Sequence, residues 1–352
     1  MILPKTMKAA VLTKLRSPLE VIRIELPKTL EVGQVLVKIH YSGICGSQIG
    51  EIDGAKGEDK FLPHLLGHEA SGTVVAVGAG VRHVQVGNSV VLHWRKGLGI
   101  EAETPQYRFN GSKINAGWVT TLSEYAIVSE NRVTSIPADS NLEVAALFGC
   151  AVTTGFGIIE NNAKVRIGES VVVFGAGGVG LNIIQAAALV SAYPIIAVDL
   201  YDEKLQLAAE MGATHIINSR LMEARQGIEA LVGKALDVFI DNTGQPSIIE
   251  LGYALTHAQG RVILVGVPHK GKNIQIHSLP LHFGKVITGS HGGEAMPAQD
   301  IARYQKLYTK GRIKLRELIT DHYALDDINE AIEGMRNGKI RGRCLIHMDT
   351  SV

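Results

Sequence analysis

Cysteine is scarce in this chain, with three in 352 residues, at positions 45, 150 and 344. Three thiols make no disulfide framework, and in a reducing compartment a thiol that matters is a metal ligand or a nucleophile. Excess charge of either sign is also missing: 35 Lys and Arg stand against 34 Asp and Glu, a net charge of +1. That balance argues against a nucleic-acid partner or an anionic membrane surface. No stretch approaches the roughly 18 to 20 apolar residues of a spanning helix. The opening MILPKTMKAAVLTKL lacks the continuous apolar run of a signal peptide, so the expected compartment is the cytoplasm. Internal repeats and low-complexity runs are absent. What remains is an ordinary globular composition, 46% hydrophobic and 20% charged, in a chain long enough to bury two cores.

The two parts of the chain read differently. VLVKIHYSG (35–43) and ASGTVVAVGAGV (70–81) are β-branched, short and punctuated by glycine, which predicts an irregular β-rich domain. From Ser170 the rhythm changes: SVVVFG, VGLNIIQAAALVSA, PIIAVD, DEKLQLAAEMG, THIIN, LDVFID and RVILVG alternate strand with helix. Such alternation calls for a parallel sheet covered on both faces, a doubly wound Rossmann-type α/β domain. Two more helical patterns, about 297–310 and 326–337, and a terminal strand RCLIHM follow. The expected boundaries are a β-rich domain over 1–151 completed by 290–352, and a nucleotide-binding domain over 152–289.

Gly175-Ala-Gly177-Gly178-Val179-Gly180 follows a strand and opens a helix. The first glycine permits a tight turn, the second lets backbone approach a pyrophosphate, and the third lets helix pack on strand. A pyrophosphate belongs at that helix N-terminus, where free N–H groups and the dipole favour anions. Asp199 ends the next strand. There its carboxylate can accept both ribose hydroxyls of NAD and repel the 2′-phosphate of NADP.

The β-rich part carries GICGS at 43–47 and GHEASGTVVAVGAG at 67–80. Together with FGCAVTTGFG (148–157), FGAGGVG (174–180), VGVP (265–268) and GKIRGRCL near the end, these blocks resemble the zinc-containing alcohol dehydrogenases of the medium-chain dehydrogenase/reductase superfamily. The resemblance spans nearly the whole chain. It implies a GroES-like β-rich catalytic domain beside the Rossmann domain, one catalytic zinc, NAD, and interconversion of an alcohol with its aldehyde or ketone. It carries the zinc ligands over to Cys45, His68 and Cys150, a set that chemistry independently favours: two thiolates and an imidazole suit zinc, and three protein ligands leave a fourth position open. By the same resemblance Ser47 is the proton relay and Glu69 a carboxylate beside the metal, as neighbour or transient ligand. Thr154 and Val179 contact the nicotinamide, Val265 and Val267 its carboxamide, Lys204 the adenine ribose and Arg343 the pyrophosphate. A homodimer or homotetramer is expected.

Three positions depart from the family. The segment HWRKGLGIEAETPQYRFNGSKINAG (93–117) contains no cysteine, so no structural zinc is expected and the loop must be held otherwise. Gln48 stands where an aspartate usually orients the zinc-bound histidine, and it is expected to accept a hydrogen bond from His68 without charge. Gly50 replaces a histidine that ends the relay in some relatives. Of the remaining candidates, Cys344 reads as a core thiol and His64 as structural. His93 or Trp94 is expected to face the zinc, and Arg95 and Lys96 to form either a solvated basic loop or a contact for an anionic or sugar-like substrate. Two alternatives are a zinc-free reductase of activated double bonds, which lacks the three ligands, and a non-catalytic NAD-binding protein, which need not keep them.

Overall fold

The structure, a computed structural model, describes residues 4–348. Two compact units divide the chain: one holds the described residues up to Cys150 and again from Met296, the other Ala151–Ala295. Among the described residues no single helix is long and apolar enough to cross a membrane.

The first unit begins with β1 (Thr6–Leu12), β2 (Glu20–Glu25), β3 (Gln34–Gly43), α1 (Gly46–Ile52), β4 (His64–Leu65) and β5 (Glu69–Val77). It continues with β6 (Ser89–His93), β7 (Gln106–Phe109), β8 (Ser112–Asn115), β9 (Tyr125–Ser129), β10 (Val133–Ser135), α2 (Leu142–Ala145) and a 3-10 turn Ala146–Gly149. Strands β1, β2, β7, β8 and β4 close into a barrel. Successive side chains of a strand point to opposite faces. In β1, Met7, Ala9 and Val11 therefore fill the barrel core, while Ala10 and Leu12 enter a second core on the other face. The same split occurs along β3, with Leu36 in the barrel and Val35, Val37 and Ile39 in the second core. These two strands are shared walls, which explains why stretches such as Ala9–Leu12 and Val35–Val37 are apolar on both faces.

The second unit contains α3 (Ala151–Gly157), β11 (Val171–Phe174), α4 (Gly178–Leu189), β12 (Ile195–Asp199), α5 (Asp202–Glu210), β13 (His215–Asn218) and α6 (Ala224–Val232). It ends with β14 (Leu236–Asp241), α7 (Pro246–Leu255), β15 (Thr256–Leu264) and β16 (Val286–Gly289). Its six strands run in the order β13-β12-β11-β14-β15-β16, and every pairing is parallel. The chain leaves β11 in one direction and returns to continue from β14 in the other, which opens a crevice at the carboxyl ends of β11 and β14. Strand β16 and helices α6 and α7 add to the strand–helix alternation expected from the sequence.

The chain then returns to the first unit with α8 (Pro297–Thr309), β17 (Ile319–Ala324), α9 (Ile328–Arg336) and β18 (Arg343–His347). Strand β18 pairs antiparallel with β3 and completes the sheet β10-β6-β5-β3-β18-β17, with β9 also on β3.

The cysteine-free segment 93–117 is held mainly by residues 129–132, at the end of β9 and just after it, with Gln34 of β3. The Glu130 carboxylate accepts the backbone N–H groups of Arg82, His83 (2.7 Å) and Ile100 (2.8 Å). Arg132 pairs with Glu101 at 2.8 Å and donates to the Trp94 carbonyl, and the Ser129 hydroxyl bridges both backbone groups of Ala102. Gln34 reaches the Glu103 carbonyl at 2.9 Å. Charge-assisted hydrogen bonds to buried backbone are the strong kind.

Glu130 is 1% exposed. Burial by itself raises its pKa, but the N–H groups of Arg82, Ile100 and His83 outweigh that and hold it below the usual carboxylate value. A depressed folded-state pKa contributes stability that is full above the unfolded value and lost as pH falls through the folded one. Glu130→Gln is expected to cost about 2 to 4 kcal/mol. Thermal unfolding should show that deficit near neutral pH and a shrinking gap from wild type below about pH 4, the unfolded range of a glutamate.

Candidate active site

Cys45 takes the position before the first turn of α1, with extended backbone (φ −114°, ψ 149°). Its N–H donates to Gln48 Oε1 at 2.8 Å, a return bond that fixes the cysteine at the helix start. His68 precedes β5, which pairs with β3, the strand leading to Cys45. Cys150 follows the 3-10 turn, and Gly149 brings it in. A Cβ at 149 would lie 2.3 Å from the Leu92 carbonyl oxygen and 2.8 Å from Glu69 Cα, so only glycine lets the turn press onto β5 and β6.

The ligand atoms of Cys45, His68 and Cys150 all lie within 4.8 Å of one another, the one such group of three among the described residues. Tetrahedral zinc with thiolate and imidazole bonds needs its ligands about 3.5 to 3.8 Å apart. The cluster therefore fits such an ion with small side-chain shifts. The Cys45 thiol is held well below its ordinary pKa, chiefly by a hydrogen bond from Cys150, against the effect of burial, and then by His68 and Arg343. A thiol prepared in this way is a metal ligand by chemistry.

Glu69 is fully buried, and its carboxylate is ion-paired with Arg343, which is 3% exposed. Arg343 also bonds the Cys45 side chain. Ser47 stands exposed on the first turn of α1, two residues from Cys45. Gln48 corrects an expectation. Its carbonyl oxygen is committed to the Cys45 N–H, and its buried Nε2, which can only donate, has no partner. The amide therefore caps the helix instead of accepting from His68. His93 is likewise turned inward, with Nδ1 at the Arg95 carbonyl (2.7 Å) and Nε2 at Thr134 Oγ1 (2.8 Å), and burial pushes its pKa down to about 4. Of the two residues expected to face the metal, His93 is excluded by these bonds. His64 is held by the Leu65 carbonyl and Asp59, and Cys344 is a core thiol that burial pushes up to about 12.

In the second unit the glycine-rich turn has the anticipated form. Gly175 has φ +96°, and a Cβ at Gly180 would lie 2.1 Å from the Gly175 carbonyl oxygen, so the helix sits directly on the strand end. A Cβ at Gly177, by contrast, meets nothing within 4 Å. Open space beside a helix N-terminus is what a pyrophosphate requires. Gly178 and Val179 form the first turn of α4. A cavity of about 820 Å³ adjoins the turn, lined by Gly175, Asp199, Lys204, Ser219 and Thr243 among others. The Lys204 ammonium lies 5.1 Å from the Tyr201 ring centroid.

Asp199 Oδ2 accepts the Ala176 N–H (2.8 Å), and Oδ1 accepts those of Leu200 (2.7 Å) and Tyr201 (3.2 Å). Three of the roughly four acceptor positions of a carboxylate are thus occupied. Room remains for one ribose hydroxyl, where two were expected. Thr154 is buried in α3, Val265 donates its N–H to the Asp241 carbonyl at 2.8 Å, and Val267 is exposed.

Comparisons with known proteins agree with this geometry. Residues 31–138 match the alcohol dehydrogenase GroES-like domain, and residues 178–309 match the zinc-binding dehydrogenase family. An S-(hydroxymethyl)glutathione dehydrogenase of Paracoccus denitrificans is 33% identical, covering 94% of this chain and 97% of that protein. Alcohol dehydrogenase 6 of Peromyscus maniculatus is 32% identical over 96% and 97%. The crystal structure of benzyl alcohol dehydrogenase from Acinetobacter calcoaceticus superposes with a TM-score of 0.88 at 28% identity, covering 98% of this chain and 100% of that one. The chain belongs to the zinc-containing alcohol dehydrogenase family of the medium-chain dehydrogenase/reductase superfamily.

Because Gln48 holds the Cys45 backbone, Gln48→Ala is expected to release zinc faster to a chelator, by up to about tenfold. Chelator competition followed with a colorimetric zinc indicator measures this. Unchanged release would show that the cap does not support the ligand.

Proposed function

We propose that the protein is a zinc- and NAD-dependent alcohol dehydrogenase. The overall reaction removes a hydride from the carbinol carbon and the proton from the hydroxyl of an alcohol, giving an aldehyde or ketone, or runs in reverse. The observation that carries this reading is the convergence of Cys45, His68 and Cys150 within 4.8 Å. When bound, zinc at these residues supplies Lewis acidity toward the substrate oxygen, and NAD supplies a hydride acceptor. The zinc-free reductase alternative has no use for such a triad.

The chain's own groups do the remaining work. Ser47 takes the hydroxyl proton and passes it outward, and with Gly50 further along α1 the proton leaves through the ribose hydroxyl and water. Arg343 neutralises Glu69 in the buried site, so that Glu69 stands beside the metal position as a paired carboxylate. In the second unit Gly175, Gly177, Gly178 and Gly180 receive the pyrophosphate, while Asp199 and Lys204 hold the adenine ribose. Thr154, Val179, Val265 and Val267 are assigned to the nicotinamide end, and Arg343 keeps the assignment to pyrophosphate that the family implies. Cytoplasmic location is retained. A homodimer is proposed through the sheet edge at β16, where Leu279, Phe283 and Val286 are exposed beside unpaired backbone.

Elemental analysis should find one zinc per chain. Cys150→Ala should lose both zinc and NAD-linked alcohol oxidation while keeping NAD affinity, measured by calorimetry, because Cys150 and the glycine-rich turn belong to different units. A fully active Cys150→Ala would overturn the assignment.

NAD is proposed over NADP because the Asp199 charge lies where a 2′-phosphate would come, and a desolvated like-charge contact costs several kcal/mol. Asp199→Gly should narrow the ratio of kcat/KM between the two cofactors. It should also raise KM for both, since the Ala176 N–H loses its acceptor. A wild type preferring NADP refutes the assignment.

A further inference from the structure

The chain has two tryptophans, and both meet one guanidinium. Arg132, 2% exposed, donates to the Trp94 carbonyl, and its Cζ lies 5.0 Å from the centroid of the Trp118 ring. Trp118 remains 62% exposed, so the cation lies at one side of an indole that is otherwise largely open. Arg95 Cζ stands 5.9 Å from the Trp94 ring.

Their place in the sheet relates both to the metal ligands. The last antiparallel pair between β5 and β6 is Glu69 opposite His93, so Trp94 and His68 each lie one residue beyond that pair, at the same end of the two strands. The segment carrying Trp118 arrives at the same strand end from another direction. Thr121 and Leu122 both donate to the Leu66 carbonyl, at 3.0 and 3.1 Å, two residues before His68.

Two of the cations nearby are already matched. Arg132 and Lys96 both pair with Glu101. An anionic or sugar-acid substrate would have to compete with that carboxylate for Lys96. The residue that follows His93 at the strand end from which His68 emerges is Trp94, and the more exposed indole, Trp118, stands on the adjoining segment.

We propose that Trp94 and Trp118, braced by Arg132, form an aromatic bench for the carbon skeleton of the substrate, which assigns the site to aromatic alcohols and their aldehydes. This rests on the dehydrogenase reading above. Flat rings stack or meet edge to face on indole, and Arg132 keeps Trp118 in place through a cation–π contact. Short aliphatic alcohols gain little from such a surface.

Both tryptophans report directly. Benzyl alcohol added to zinc-loaded enzyme without NAD should change tryptophan fluorescence saturably, whereas glycolate, an anionic alcohol, should not. In NAD reduction, benzyl alcohol should exceed 1-propanol and glycolate in kcat/KM. The benzyl-to-propanol ratio should fall about tenfold in Trp118→Ala and return in Trp118→Phe. A wild type that prefers glycolate, or a ratio unmoved by Trp118→Ala, overturns the bench. If no alcohol is oxidised, the dehydrogenase reading fails; a saturable benzyl alcohol signal in the same protein then still supports the bench, and its absence overturns it.

Discussion

Three side chains separated by up to 105 residues of sequence must meet within 4.8 Å, and the architecture of the first unit serves that meeting. Strand β3 delivers Cys45 to the start of α1, its neighbour β5 begins just after His68, and the turn ending at Gly149 sets Cys150 against both β5 and β6. A side chain at 149 would collide with Leu92 and Glu69 and push one thiol away. The remaining buried charges follow from the same convergence. Two thiols and a carboxylate in one low-dielectric region repel one another when ionised, and Arg343 from β18 supplies the positive charge that makes the arrangement tolerable.

The loop over 93–117 solves a different problem with similar means. It has no cysteines, and its backbone is anchored from outside by carboxylate and guanidinium groups of residues 129–132. The anchoring has a consequence at the metal site. Arg132, which holds the loop, also fixes Trp94 through its carbonyl and Trp118 through its ring. Loop stability and the proposed aromatic surface are therefore tied to one buried side chain. A solved structure of the same shape is a benzyl alcohol dehydrogenase, while relatives at 31% to 33% identity include S-(hydroxymethyl)glutathione dehydrogenases. Relatives at such distances share the reaction more readily than the substrate, since the ligand triad is one local constellation and the substrate surface is assembled from several loops.

In the second unit the constraint is backbone approach. The glycine-rich turn leaves space at Gly177 and none at Gly180, and Asp199 spends most of its acceptor capacity on the turn itself and the two residues after it. The acid is a structural tie as well as the proposed contact for ribose.

Residue type, spacing and period determined much of this protein without a structure: the alternation of strand and helix from Ser170, the glycines and acid of the nucleotide turn, and the thiol and imidazole identities at 45, 68 and 150. These are local properties, set by backbone sterics, hydrophobic period and donor chemistry. Tertiary structure decided which partner each polar group takes. Gln48 faces the Cys45 N–H and not His68, His93 turns inward, Lys96 is matched by Glu101, and Glu130 holds a loop some thirty residues before it. Each of those groups had several chemically acceptable partners in the sequence. The fold chose among them: for His93 through the register of β6, since side chains alternate between faces along a strand, and for Gln48, Lys96 and Glu130 through the helix start and loops that bring distant backbone beside them.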